Sequence, residues 1–207
     1  MNTLKIVIID YGIGNTYSVS NAIKSLGYDK VNISDNNEQI ENADALILPG
    51  VGAFDEAMRN LKKKRMHHLL NEVILVKKKP ILGICVGMQM LATNSEENGL
   101  HEGLNWIEGC VRKLELPESF AIPHVGWNDV SFGQAGALFS RNQNHDNFYF
   151  DHSYWFDCNK ENIIAWCDYG IKVTAAVQKE NIFGVQFHPE KSQTSGLRLF
   201  RSFFNSI

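Results

Sequence analysis

Apolar and polar positions change rhythm near the middle of the chain. Up to about Gly103, short unbroken apolar runs alternate with stretches of helical period. Lys5–Asp10 (KIVIID) is almost entirely apolar, as a strand buried on both faces must be. Tyr11-Gly12-Ile13-Gly14-Asn15 reads as a turn, Ser18–Leu26 as a helix closed by Gly27, and Val31–Ile33 as a second strand. Ala45–Leu48 is a third strand that runs into Pro49-Gly50-Val51-Gly52. Helices over Phe54–Leu61 and Leu69–Val76 precede a fourth strand, Ile81–Ile84. This alternation with short connections predicts a parallel sheet flanked by helices.

Beyond Gly103 strand-like runs dominate: Val111–Leu114, Asn128–Val130, Phe148–Asp157, Ile163–Asp168, Val173–Gln178 and Ile182–Phe187. An amphipathic helix over Gly196–Phe204 closes the chain. The expected class is α/β, with a mixed, largely parallel central sheet. Its strand-rich second half extends that sheet or stacks a smaller one beside it. No repeat, low-complexity tract or linker divides the 207 residues, so one domain over 1–207 is expected.

Composition narrows the function classes. Hydrophobic residues make up 44% and charged residues 21%, an ordinary globular balance. A net charge of -3 and a pI near 6.2 leave no overall basic field for nucleic acid or anionic lipid. The basic runs Lys62–Arg65 and Lys77–Lys79 read as solvated helix ends or as a docking patch. Leu4–Ile9 is too short for a secretory signal and no window reaches the length of a membrane span, so the cytoplasm is expected. The four cysteines form no C-x-x-C pair and the seven histidines fall at no ligand spacing around them, so neither disulfides nor a metal is expected. Cys110, Cys158 and Cys167 read as core or strand residues.

Cys85 differs because glycines flank it in Gly83-Ile84-Cys85-Val86-Gly87, at the end of an apolar run and before a helix-like stretch. A nucleophile on a sharp strand-to-helix turn needs small neighbours, since the backbone there is strained and closely approached. The start of the following helix favours an anionic sulfur, and the N–H after the nucleophile can hold an oxyanion. A buried cysteine in a glycine-rich turn is the plainer alternative. His188-Pro189-Glu190 supplies the complementary chemistry. Residues two apart in an extended chain share a face, so Glu190 can hold the His188 ring while its other nitrogen meets a thiol. A surface histidine and glutamate after a strand would look the same. Pro49-Gly50-Val51-Gly52, also at a strand end, offers a second oxyanion donor on a peptide that glycines leave free to turn. Phe148–Tyr154 is either plain strand alternation or a platform for a small polar substrate. His101, His124 and His145 read as loop residues.

Six segments together resemble the class I (triad) glutamine amidotransferases: Asp10–Asn15, Pro49–Phe54, Gly83–Gln89, Ile122–Asn128, Phe148–Tyr154 and Gly184–Ser192. The Pro-Gly-Val-Gly and His-Val-Gly-Trp-Asn segments narrow the resemblance to glutaminase subunits of imidazole glycerol phosphate synthases. It implies a flavodoxin-like fold and a nucleophile Cys85, with His188 as base and acid and Glu190 as its orienter. Gln89, His152, Ser153 and Tyr154 would bind L-glutamine, while Val51, Gly52 and Val86 would frame the oxyanion. Asn15 and Trp127 look like interface or gate positions. No cofactor is implied. Ammonia would pass to a (β/α)8-barrel cyclase subunit in a heterodimer, which makes imidazole glycerol phosphate and aminoimidazole carboxamide ribotide in histidine biosynthesis. The glutaminase would be weak until its loaded partner turns the peptide near Val51.

Two positions depart from the family pattern, Val86 in place of leucine and Asp151 in place of an apolar residue. A paralogue that feeds ammonia to a sugar amidotransferase of surface polysaccharide synthesis shares these motifs. Two further alternatives are a free-standing cysteine hydrolase and a non-catalytic regulatory subunit. The Pro-Gly-Val-Gly loop counts against the first, and the intact Cys85, His188 and Glu190 against the second.

Overall fold

The computed structural model describes residues 3–133, 138–139 and 145–207. Four strands from the first half, β1 (Ile6–Ile9), β2 (Val31–Ser34), β3 (Ala45–Gly50) and β4 (Ile81–Cys85), lie parallel in the order β2-β1-β3-β4. Every residue of β1, β3 and β4 is buried, which is why their sequences are unbroken apolar runs rather than alternating ones. Helices α1 (Thr16–Ser25), α2 (Asn37–Asn42), α3 (Phe54–Lys63) and α4 (Met66–Asn71) occupy the connections, and α5 (Val86–Gln89) follows β4 without a gap.

Two of these elements differ from the sequence expectation. The short α2 has one buried residue, Ile40, so it carries no apolar period; its signal is the N-cap Asn36, which accepts from the Gln39 amide at 3.1 Å. The helix expected over Leu69–Val76 begins earlier, at Met66, after Arg65 at φ 57, and its second half widens into a π-helical turn over Glu72–Val76.

The second half contributes β5 (Asn94–Ser95), β6 (His101–Glu102), β7 (Gly109–Lys113), β8 (His124–Phe132), β9 (His145–His152), β10 (Tyr154–Cys158), β11 (Ile163–Tyr169), β12 (Ile171–Lys179) and β13 (Ile182–Val185). Among the described residues the main sheet has nine strands, ordered β2-β1-β3-β4-β13-β12-β11-β8-β9. β13 joins β4 in parallel; from β12 outward every pairing is antiparallel. A four-stranded sheet, β10-β7-β5-β6, lies apart from it, so the second half both extends the main sheet and builds a smaller one. Helix α6 (Gln193–Asn205) ends the fold. No helix among the described residues is long and apolar enough to cross a membrane.

The run Phe148–Asp157 is not one strand. β9 ends at His152 in the main sheet, and β10 starts at Tyr154 in the small one. The inward positions Phe148, Phe150, His152 and Phe156 keep one alternating phase across Ser153, so the hydrophobic pattern carries no mark of the change of sheet. Nor do His101, His124 and His145 lie in loops; each begins a strand.

The sheet meets α5 so closely that a side chain at Gly87 has no room. A Cβ there would lie inside the Leu48 carbonyl of β3. Gly87→Ala is therefore expected to destabilise the protein by ~1–3 kcal/mol or more through backbone displacement. A thermal melt reads this directly, and an unchanged midpoint would contradict the packing described.

Candidate active site

Three neighbouring parallel strands, β3, β4 and β13, each end at the same rim of the sheet. Ligand sites of open α/β sheets form beyond the carboxyl ends of strands, and here each strand delivers a different chemical group. β3 runs out into Val51 and Gly52, β4 into Cys85, and β13 into the segment that carries His188.

Cys85 sits at φ 55, ψ -115, a conformation that side chains rarely adopt. This sharp turn between β4 and α5 holds the sulfur over the rim. α5 is a single turn, shorter than the helix-like stretch predicts. Val86 is its first residue, so the Val86 N–H has no acceptor within the helix. Gly52, at φ 79, has open space where a Cβ would lie, and Val51 beside it is 38% exposed. Space is thus open beside the Val51–Gly52 peptide, whereas Gly50, one residue before, is hemmed in by Val86, Gly87 and the Tyr11 hydroxyl. That hydroxyl donates to the Pro49 carbonyl at 2.8 Å.

The segment after β13 departs from the extended conformation expected of it. His188 is extended, at φ -101, ψ 95, but Pro189–Lys191 forms a 3-10 turn closed by the Lys191 amide to the His188 carbonyl at 3.0 Å. Proline restricts the residue before it to extended forms, yet its own φ suits the first position of a helical turn. The turn still brings Glu190 Oε1 to 2.9 Å from His188 Nδ1. The same oxygen accepts from Asn15 Nδ2 at 3.2 Å, so Asn15 reaches the carboxylate rather than only the protein's outer surface. β9 fixes the backbone of this turn: the His188 amide donates to the Tyr149 carbonyl at 2.8 Å, and the Tyr149 amide to Ser192 Oγ at 3.0 Å.

A cavity of about 280 Å³ opens onto Cys85 and His188, with Val51, Gly52, Val86 and Gln89 on one side and His152, Ser153 and Tyr154 on another. The structure thus gathers most of the sequence-predicted residues around one space, with Glu190 one contact behind His188 and Asn15 one contact behind Glu190. Trp127 is the exception: it is 46% exposed on β8, edge-on to Tyr149, and does not line the cavity. Neither ring nitrogen of His152 faces the cavity freely, since Nδ1 is 2.8 Å from the Tyr154 carbonyl and Nε2 3.0 Å from His124. Gln89 Nε2 is likewise engaged, donating to the Tyr154 carbonyl at 3.1 Å and to Gln186 Oε1 at 3.0 Å.

Two residues that sequence reasoning missed belong here. Gln186 is fully buried on the approach to His188, and its Nε2 faces Cys85 Sγ at 3.7 Å. A polar residue interrupting the apolar run Gly184–Phe187 was the available signal. Glu97 lines the cavity and accepts from the Phe54 amide at 2.9 Å, while burial raises its carboxyl above the usual range. It comes from the segment between β5 and β6, where no motif marks it.

Burial alone would keep His188 neutral, but the Cys85 sulfur and the Glu190 carboxylate outweigh it and push the imidazole up to about 10. Burial holds the Cys158 and Cys167 thiols at about 12, so neither is a thiolate at neutral pH. Because the His188 value is raised on folding, its contribution to stability is complete below about 6.5 and is lost as pH rises toward about 10. Cys85→Ala removes one of the groups that raise it, so the falling limb of stability against pH should move to lower pH. Urea midpoints from pH 6 to 10 measure this, and superimposable limbs would contradict the coupling of sulfur and ring.

The family "Glutamine amidotransferase class-I" matches residues 7–207. The chain is 47% identical over 204 residues to imidazole glycerol phosphate synthase subunit HisH 2 of Vibrio vulnificus, with 99% of this chain and 95% of the relative covered. It is 45% identical to the subunit of the same name in Pseudomonas aeruginosa, covering 98% and 100%. Its fold is similar to PurLQS from Thermotoga maritima, with a TM-score of 0.72 over 97% of both chains at 16% identity. The chain belongs to the class-I glutamine amidotransferase family.

Proposed function

We propose that this chain is the glutaminase subunit of an imidazole glycerol phosphate synthase, hydrolysing glutamine with Cys85, His188 and Glu190 and passing ammonia to a cyclase. The observation that carries the residue assignment is the Cys85–His188–Glu190 arrangement, with Nδ1 held at 2.9 Å by a buried carboxylate and the ring's charge sustained by the sulfur. With His188 at about 10, the imidazole holds a proton at neutral pH beside the Cys85 sulfur. The thiolate attacks the side-chain amide carbon of glutamine. The negative oxygen of the tetrahedral intermediate sits against the Val86 N–H and the Val51–Gly52 peptide. The C–N bond breaks as His188 gives its proton to the departing amine, leaving ammonia and a γ-glutamyl thioester. Neutral His188 then takes a proton from water, whose oxygen attacks the thioester. Glutamate leaves, and the free sulfur and the protonated imidazole are restored. Glu190 and Asn15 hold the ring throughout.

The free amino acid carries an ammonium and a carboxylate that must also be met. Glu97 is suited to the ammonium, and the Gln89, Ser153 and Tyr154 wall to the remaining polar groups. A single domain over 1–207 accounts for all of these residues. A barrel-shaped cyclase fits the rim of the sheet where Trp127 is exposed and Lys191 lies over Tyr149 at 5.2 Å from the ring centroid. The relatives' designation as synthase subunits supports such a partner.

Asp151 favours a second reading. It is exposed at the cavity mouth, at a position where an apolar residue is usual, which suits a paralogue serving a sugar amidotransferase. One experiment separates the readings. Assembled with a histidine-pathway cyclase, the chain should support synthesis from glutamine, and Cys85→Ala should abolish this while synthesis from added ammonia continues. Glutamine hydrolysis without transfer to that cyclase would favour the paralogue. Loss of ammonia-dependent synthesis as well would assign Cys85 to assembly.

The open space beside the Val51–Gly52 peptide, with Gly52 at positive φ, leaves it room to turn and predicts dependence on the partner. Glutamine turnover by the isolated chain should be at least ~10-fold below that of the complex with its ligand bound, since one oxyanion donor is worth about 10²–10³ in rate. Equal rates would show that the peptide is productive without docking.

A further inference from the structure

A chain of hydrogen bonds runs behind the cavity with only one consistent arrangement of protons. His124 and His152 are both buried, 3% and 6% exposed. The Tyr154 carbonyl, 2.8 Å from His152 Nδ1, can only accept, so Nδ1 carries the hydrogen. Burial pushes His152 down to about 3, so the ring is neutral and its Nε2 is a bare acceptor. His124 Nδ1, 3.0 Å away, must then be the donor. Burial likewise lowers His124 to about 4, so its own Nε2 is bare and accepts from Asn128 Nδ2 at 3.3 Å. That amide also donates to the Asp168 carbonyl at 3.3 Å. On the cavity side the Tyr154 carbonyl accepts a second bond, from Gln89, which in turn orients Gln186 toward the sulfur.

We infer that His124 is a positioning residue for glutamine hydrolysis: by donating from Nδ1 to His152 Nε2 it fixes the His152 ring and the 152–154 wall of the glutamine pocket. The inference rests on the glutaminase reading above. The Tyr154 carbonyl is where this chain meets the amide of Gln89, which also donates to Gln186, so the wall and the groups around Cys85 are set by one network. The plainer role for His124 is packing, since its ring stacks on Tyr169 at 3.8 Å and on Phe150 at 4.7 Å between centroids. The two roles separate because a phenylalanine keeps the stack and lacks the donor.

His124→Phe leaves His152 Nε2 a buried acceptor without a partner, which should raise the KM for glutamine about tenfold with kcat changed less than about threefold. His124→Asn, whose amide nitrogen takes the place of Nδ1, should restore most of the affinity. Both are measured on the full chain in complex with its cyclase. An unchanged KM in a folded His124→Phe complex would overturn the proposal, as would failure of His124→Asn to recover what His124→Phe loses. A long-range nitrogen–proton spectrum of the unaltered chain needs no variant: both rings should appear neutral with the hydrogen on Nδ1 at pH 7. A hydrogen on Nε2 of His152 would equally end the proposal. An unaltered complex that hydrolyses no glutamine would sink the glutaminase reading instead, whatever the spectrum shows.

Discussion

The parallel pairing of β13 with β4 is the constraint on which the site depends. These strands come from opposite halves of the chain, and their register sets Gly184 beside Gly83 and Val185 beside Ile84. The two paired glycines leave a depression in the sheet. A Cβ on Gly83 would approach the Gly87 carbonyl oxygen at 2.6 Å, and one on Gly184 would approach Met88 Cγ at 2.8 Å. α5 lies in that depression and spans both strands. The same contact that bends the chain at Cys85 therefore fixes where the strand carrying His188 must lie. A thiol and an imidazole about a hundred residues apart become neighbours through backbone packing, before any charge acts between them.

Electrostatics then assigns the roles. His188, His152 and His124 are all buried, and desolvation disfavours a charge on each. His188 nevertheless holds its proton because a sulfur and a carboxylate face its two sides. His152 and His124 face a carbonyl, a carboxamide and each other, and stay neutral. The cavity thus presents a single histidine equipped to carry a proton, and a histidine pair, His152 at its wall and His124 behind it, equipped to hold that wall in place. The division follows from the partner of each nitrogen rather than from depth of burial. Asn15 adds to the Glu190 side without a charge of its own, so it steadies the position of the carboxylate beside the ring.

What could be read in the sequence was what leaves a local trace. The buried parallel strands show as apolar runs, and the turn at Cys85 shows through its flanking glycines. The turn at Pro189 was half legible: proline announces an extended His188, but the packing of α6 that folds Pro189–Lys191 into a turn is a tertiary effect, seen where a Cβ on Gly196 would strike the Pro189 carbonyl. The break between β9 and β10 left no trace because the alternation continues in phase through it. His124 was hidden for a related reason. Pro123 and Gly126 beside it are turn-type residues and resemble a loop, and the feature that makes it inward is the antiparallel pairing of His124 with His152 across two long strands.

β8 brings these strands of the argument together. Its residues alternate, so Val125 and Trp127 point outward, exposed, while His124 and Asn128 point inward to the histidine pair. A partner resting on the outward face would press on the backbone that holds the inward one. β9, paired with β8 along its length, carries Tyr149, whose carbonyl holds the His188 amide, and His152, whose ring meets His124. Two strands therefore join the exposed rim to both the proton carrier and the pocket wall. No movement of the deeply packed β3-β4-β13 strands is required for docking to be felt at the site.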